Sequence, residues 1–451
     1  MKKNDIIRVK IEGISAEGSG VGRAENMAIF IPETALSDVV EARVLKVTSK
    51  YAFGKIEKMI EPSQDRITPD CEVFHKCGGC AYRHISYQSE CDIKKTRVKD
   101  AMTRIASQKI LPQPIVFSQN TDRYRNKAQY PIMAHGKVGF FARHSHRGVP
   151  CGDCLLQPQE FTTVAKILES WIVKNNISVY DETTKKGLVR HLYMRKAFAT
   201  GELMVVLVVN GQTVKGIDGF VAQLRAELGD ALVSVMLNIN TKDTNVVLSD
   251  CCKTVFGQDY ITDILFGVKI RLSPLSFYQV NHEMAERLYE QVALYADVSG
   301  KTVLDLYCGT GTIGLSLANS AKKIIGVEIV PDAIKDAKKN AEQNGFSNTE
   351  FICADAALAA RELKEKGIVP DVVIVDPPRK GCDSAVLSTI ANGFNPEKIV
   401  YVSCDPATLA RDVAILNGLG YFLVEYTPFD LFPRTAHVET VALLVRTVSA
   451  I

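Results

Sequence analysis

The sequence predicts an α/β protein in three parts: a small β-barrel over 1–60, a mixed α/β region over 61–275, and an open, doubly wound parallel sheet over 276–451. Three stretches predict it. Lys301 to Glu328, KTVLDLYCGTGTIGLSLANSAKKIIGVE, runs strand, glycine turn, helix, strand, acid. The first 60 residues hold several short apolar runs separated by turn clusters. Residues 160–275 alternate helical and strand-like periodicity.

Composition sets the bounds. A chain of 451 residues has room for about three domains, and 46% hydrophobic with 23% charged residues is ordinary for a soluble globular protein. No run of apolar residues is long enough to span a membrane, and the N-terminal MKKNDIIRVKIEGIS lacks a secretory leader's apolar centre. Twelve irregularly spaced cysteines in a large chain predict a cytoplasmic home rather than a disulfide framework. The net charge is only +3, so any affinity for nucleic acid must come from local patches.

In chain order, Ile6–Ile14, Ala28–Ile31, Val39–Val47 and Ala52–Met59 are expected strands, with EGSGVGR and PETALSD as turns. So many strands in so few residues predict a closed barrel of the OB type, and the segment resembles a TRAM domain, an RNA-binding barrel. Cys71, Cys77 and Cys80 follow in CEVFHKCGGC, where the glycines let the sulfurs turn toward one point. Cys151 and Cys154 in PCGDC are the candidates for a fourth ligand. Such thiolates hold zinc or an iron–sulfur cluster, with His75 a rival zinc ligand. Tyr82 to Gln108 is expected to be helical, and the segment 82–115 to lie against the C-terminal domain. Thr121 to Arg147 carries six Lys or Arg against one acid, interleaved with Tyr124, Tyr130, Phe140 and Phe141. Cations for phosphates and rings for bases mark Arg123, Arg125, Lys127 and Arg143 as candidate RNA contacts, against the plainer reading of a solvated strand pair. Phe161–Ile177 and Gly216–Leu228 are expected helices; Leu188–Ala197, Leu203–Asn210 and Leu232–Asn238 are expected strands.

Gln279 and Asn281 stand at the entrance to a long amphipathic helix, His282–Ala296. In the glycine turn, Gly309 and Gly311 let a ligand approach the start of a helix, and Glu328 is placed to accept from a ribose diol. A dinucleotide would fit the glycine spacing. Asp305 just ahead of the turn argues instead for a ligand carrying an amino group and a sulfonium. Asp355 ends a third strand, Asp376 opens DPPRKG after a fourth, and Cys404 lies between a fifth strand and a helix whose dipole is expected to favour its thiolate. Glu439 opens the last strand.

A methyl donor, a thiolate and a carboxylate in one cleft suggest methylation at carbon. C5 of uracil is a poor nucleophile until a thiolate adds to C6; a base then removes the C5 proton. Cys404 is the expected nucleophile and Glu439 the expected base. Cys382 in RKGCD ranks below Cys404, because three residues separate it from the prolines.

DLYCGTGTIGL, DPPRKG, SCDPATLARD and HVETVALL resemble the RNA uracil-5 methyltransferases that use S-adenosylmethionine, over nearly the whole chain. The resemblance implies a Rossmann-like class I methyltransferase domain, with Gln279, Tyr307, Gly309, Thr312, Glu328, Asp355 and Asp376 around the methyl donor. It implies Cys71, Cys77, Cys80 and Cys154 as ligands of a [4Fe-4S] cluster, Cys404 as nucleophile and Glu439 as base. Members with a TRAM barrel and four cluster cysteines act on 23S ribosomal RNA, so that RNA is the expected partner, with no obligate protein partner. The transfer-RNA branch is expected to lack barrel and cluster alike. An inactive RNA-binding assembly factor is the reading from another class.

Overall fold

The computed structural model describes residues 1–446. The barrel closes through β1 (Ile6–Ile14), β2 (Gly20–Ala24), β3 (Met27–Ile31), β4 (Val39–Val47) and β5 (Tyr51–Glu61), in the order β1-β2-β3-β5-β4. Alternation fills it: Val9, Ile11, Ile29, Ile31, Val40, Ala42, Val44 and Ala52 point inward. β2 falls in the stretch expected to be a turn. Its composition, GVGRA, hides a strand because Gly20 and Gly22 sit where a Cβ would strike Thr34 and Val9.

Next comes α1 (Tyr87–Arg104), capped by Ser86, whose hydroxyl accepts from the Ser89 N–H. The five residues expected to begin this helix, from Tyr82, are instead a turn. The middle of the chain contributes β6 (Lys127–Pro131), the hairpin β7 (Gly139–Phe141) and β8 (Gly148–Pro150), α2 (Gln159–Lys174), β9 (Val189–Lys196), β10 (Leu203–Val209), α3 (Ile217–Leu228), β11 (Leu232–Ile239) and β12 (Cys252–Gly257). Their main sheet runs β12-β11-β10-β9-β6, with one face on α2 and α3. Its other face, with Tyr193, Met204, Val206 and Met236, joins the core of the C-terminal domain. So does a second hairpin, β13 (Ile261–Leu265) and β14 (Val268–Leu272).

The C-terminal domain opens with α4 (His282–Ala296), capped by the Asn281 side chain. Then come β15 (Thr302–Leu306), α5 (Thr312–Leu317), β16 (Lys323–Glu328), α6 (Pro331–Gln343), β17 (Thr349–Cys353), α7 (Ala356–Glu365), β18 (Val372–Val375), α8 (Ser384–Ser388), β19 (Lys398–Ser403), α9 (Pro406–Gly418), β20 (Tyr421–Phe429) and β21 (Glu439–Arg446). The sheet order is β17-β16-β15-β18-β19-β21-β20. Its first five strands are parallel, and β21 inserts antiparallel between β19 and β20. The parallel strands are buried on both faces, so Val372–Val375 reads as an unbroken apolar run. Among the described residues, no helix is long and apolar enough to cross a membrane.

α1 packs into this domain: Val98, Met102 and Ala106 share a core with Leu409, Val413 and Tyr426. A buried ion cluster pins it there. Lys94 Nζ, 1% exposed, donates to Glu90 Oε1 and Asp430 Oδ1 at 2.6 Å each, and to the Phe432 carbonyl at 3.2 Å. Glu90 also accepts the Arg434 N–H at 2.7 Å, and the Arg434 carbonyl accepts from the Ala81 and Tyr82 N–H groups. One lysine thus ties together α1, the cysteine-bearing loop and the segment that leads into β21. Removing one member of a buried ion set strands the others. Lys94→Met is expected to lose about 3–5 kcal/mol in urea unfolding followed by circular dichroism; a loss under about 1 kcal/mol would show that the cluster carries no such strain.

Candidate active site

A cavity of about 1060 Å³ opens at the carboxyl ends of the parallel strands. Gln279, Tyr307, Gly309, Glu328, Asp355, Asp376, Cys404 and Glu439 all line it. The strand order explains the convergence. Tyr307, Glu328, Asp376 and Cys404 lie at or next to the carboxyl ends of β15, β16, β18 and β19, and Asp355 just past β17. Glu439 reaches the same edge because β21 runs the other way, with Thr440 opposite Ser403.

The donor half is built on backbone. Gly309 and Gly311 take left-handed φ of +56° and +79°. A Cβ on Gly311 would meet the Phe351 ring at 2.9 Å. Tyr307, also left-handed at φ +64°, is the non-glycine residue that turns the chain out of β15. Glu328 accepts from the N–H groups of Gly309, Ile329 and Val330 at 3.2, 2.8 and 3.0 Å, so its carboxylate is fixed at the cavity wall. Asp355 caps α7 through Oδ1 alone. Gln279 is held from outside: Asn126 donates its side-chain N–H to the Gln279 carbonyl at 2.8 Å.

Two expectations about this half change. Asp305 does not face the ligand; it is fully buried and accepts the Gly314 N–H at 3.0 Å, tying the turn to α5. Burial pushes its carboxyl up to about 8. Thr312 is not among the lining residues, because its hydroxyl is bonded to the Tyr289 hydroxyl of α4 at 2.7 Å.

The reacting half is a desolvated cluster of acids. Burial pushes Asp376 up to about 7. Glu439, 5% exposed, is pushed well above the carboxylate range by burial and then by Asp376. Cys404 corrects the sequence expectation. Its thiol is pushed up to about 11 by burial, then by Glu439 and Asp376, and only Arg379 and a backbone N–H oppose this. The start of α9 does not rescue it, because Asp405 already caps that helix through the Ala407 and Thr408 N–H groups. Cys382 is buried away from the cavity lining, its N–H held by Asp412. Arg379 and His437 do line the cavity and were given no role in the sequence; the signal was there, in DPPRKG and HVET.

A second cavity of about 330 Å³ adjoins the first. Cys71, Cys77, Cys80, Cys151 and Cys154 line it, with Phe74, Phe140 and Leu156. Gly79, Arg125 and Lys127 face both cavities. Burial pushes Cys80 up to about 12. Among the described residues, no three His, Cys, Asp or Glu side chains gather tightly enough to hold a single metal ion. His75 turns away to Glu33 of the barrel, at 2.6 Å.

The candidate RNA contacts divide. Arg123 is committed inward, to Asp153 at 2.6 Å and to the Cys154 and Gln157 carbonyls, so it braces the cysteine loop. Arg143 donates to the Cys80 carbonyl at 3.3 Å. Arg125 and Lys127 stay on the cavity wall, and burial with Arg195 and Arg125 nearby lowers Lys127 to about 8.

Residues 86–447 match the model of the tRNA (Uracil-5-)-methyltransferase family, and 2–56 match the TRAM domain. The chain belongs to the tRNA (Uracil-5-)-methyltransferase family. An uncharacterized RNA methyltransferase of Clostridium tetani is 43% identical over 98% of this chain and 97% of its own. One from Staphylococcus epidermidis is 41% identical over 99% and 98%. Among solved structures, the Pyrococcus abyssi tRNA (uracil-54, C5)-methyltransferase in complex with S-adenosyl-L-homocysteine superimposes with a TM-score of 0.79, at 26% identity, over 97% of this chain and all of that one. A superposition that wide reaches into the barrel. The barrel therefore does not separate ribosomal from transfer-RNA enzymes, contrary to the sequence expectation. The chain is an S-adenosylmethionine-dependent RNA methyltransferase with an N-terminal TRAM barrel.

The electrostatics give a direct test. Iodoacetamide alkylation of Cys404, read by peptide mass spectrometry, is expected to rise steeply with pH toward about 11. Arg379→Met is expected to move the profile higher, and bound S-adenosylmethionine, whose sulfonium brings positive charge, to move it lower.

Proposed function

We propose that the protein methylates C5 of specific uridines in 23S ribosomal RNA, with Cys404 as nucleophile and Glu439 as base. The observation that carries this reading is the shared cavity: Cys404 and Glu439 face the same space as Tyr307, Gly309, Glu328 and Asp355. S-adenosylmethionine, when bound, supplies the methyl group and a positively charged sulfur.

Cys404 gives up its proton to water and its Sγ adds to C6, turning the C5–C6 double bond into an enolate. C5 takes the methyl group, and the bonding pair stays on the donor's sulfur. Glu439, as its carboxylate, removes the C5 proton, the double bond re-forms and Cys404 leaves as a thiolate that regains a proton from water. Dry surroundings suit both events. A thiol held near pKa 11 is a strong nucleophile once ionised, and a carboxyl raised by burial is a better base than an exposed one. Arg379 is the cation on the cavity wall that counters the negative charge on Cys404 and Glu439. A paired uracil cannot enter such a cavity, so the target base leaves its stack.

The ring of thiols supports a [4Fe-4S] cluster on Cys71, Cys77, Cys80 and Cys154. Cys154 stands in that ring, with Cys151 beside it. The cluster would brace the loops behind Arg125 and Lys127.

Transfer RNA is the second reading, favoured by the Pyrococcus abyssi enzyme's likeness along the whole chain. Mapping 5-methyluridine in ribosomal and transfer RNA with and without the gene decides between them: loss from 23S RNA is expected, and loss from transfer RNA alone would overturn the ribosomal assignment. Cys404→Ala is expected to abolish methylation. Glu439→Gln is expected to stall after methyl transfer and leave RNA covalently attached, visible as a shifted band under denaturing conditions; a slow variant with no adduct would remove the base assignment. Anaerobically purified protein is expected to be brown, whereas colourless protein with stoichiometric zinc would overturn the cluster.

A further inference from the structure

The outer face of the barrel carries a group of side chains that the catalytic cavity does not use. Phe30, Tyr51 and Phe53 form one aromatic patch, with centroids 5.6 Å apart for Phe30–Tyr51, 5.4 Å for Tyr51–Phe53 and 5.9 Å for Phe30–Phe53. Strand register builds it. In the parallel pairing of β3 with β5, Phe30 stands beside Phe53 and Ala28 beside Tyr51. Ala52 and Gly54 take the inward positions between them. The barrel interior is already filled, yet Tyr51 and Phe53 remain 39% and 40% exposed.

The charge around the patch has one sign. Residues 43–58 hold five Lys or Arg and a single acid, Glu57, which Arg43 already binds at 2.7 Å. Lys46 lies opposite Phe53 across the β4–β5 ladder, Lys50 precedes Tyr51, and Lys55 points outward two residues beyond Phe53. Among the described residues, Lys46, Lys50 and Lys55 make no salt bridge. Apolar docking surfaces for proteins are depleted of lysine at their centres. Open rings flanked by uncompensated lysines match a polyanion with exposed π-faces.

We propose that Phe30, Tyr51 and Phe53, with Lys46, Lys50 and Lys55, form a platform on which unpaired bases of the RNA substrate stack, apart from the catalytic cavity. The proposal rests on RNA as the substrate class and not on which RNA is methylated. The rings supply stacking that any base accepts, and the lysines neutralise the phosphates between stacked bases. The platform therefore holds flanking single strand while the target uridine is in the cavity.

Full-length protein is titrated with a fluorescent oligouridylate and with a duplex of equal length. Tyr51→Leu and Phe53→Leu are each expected to weaken single-strand binding about tenfold, and Tyr51→Trp to keep it. Lys46→Gln and Lys50→Gln are each expected to lower the slope of log affinity against log salt by about 0.7. KM for long RNA rises in the Leu variants, while kcat at saturation stays as in wild type. Leu variants that bind the oligonucleotide like wild type overturn the platform. So does a loss in those variants of self-association or of protein binding with RNA affinity unmoved. If wild type methylates no uridine while the Leu variants still lose single-strand affinity, the methylation reading fails and the platform stands.

Discussion

One buried ammonium, that of Lys94, holds the protein's parts in register. An amine with no access to water is stable only if carboxylates are delivered to it, and here one comes from Glu90, a turn away on α1, and the other from Asp430, 336 residues along the chain. The same cluster takes the Arg434 N–H, and the Arg434 carbonyl takes two N–H groups from the residues after Cys80. The barrel joins at the same point, with Ala35 packed against Ala81, Tyr82 and Ala436. The loop between β20 and β21, which ends at Glu439, is therefore fixed by contacts from each earlier part of the chain.

What that frame creates is a dry chamber with an unusual acid–base balance. Asp305, Asp376 and Glu439 are all raised by burial, and Glu439 and Asp376 raise Cys404 in turn. Arg379 already opposes that rise from the cavity wall, and a bound sulfonium would add positive charge beside it and bring the thiol lower. Desolvation thus couples the ionisation of Cys404 to what the cavity holds, without a moving part.

Much of this was legible in the chain. The parallel strands announced themselves as apolar runs, and their carboxyl ends pointed to Glu328, Asp376 and Cys404, because strand ends in such a sheet face one crevice; Tyr307 entered only through the family resemblance. β2 was not legible, since its glycines signal a turn unless the packing of Thr34 and Val9 against them is known. The environment of Cys404 was misread for a related reason: the helix and its Asp405 cap stand together in the sequence, but Glu439 arriving from another strand is a tertiary fact. Arg123 looked like a phosphate ligand by composition, and only its distance to Asp153 shows it spent elsewhere. Thr312 was similarly claimed by Tyr289, a partner 23 residues away.

The placement of β21 carries a consequence for biosynthesis. This strand follows β20 in the chain, yet it lies inside the sheet rather than at its border, with β19 and β20 on either side. Until it emerges, β19 and β20 lack their ladder partner and Cys404 has Asp376 near it but not Glu439. Before that insertion two neighbouring strands offer open edges to other chains, and a single step both closes the sheet and brings Glu439 to the cavity.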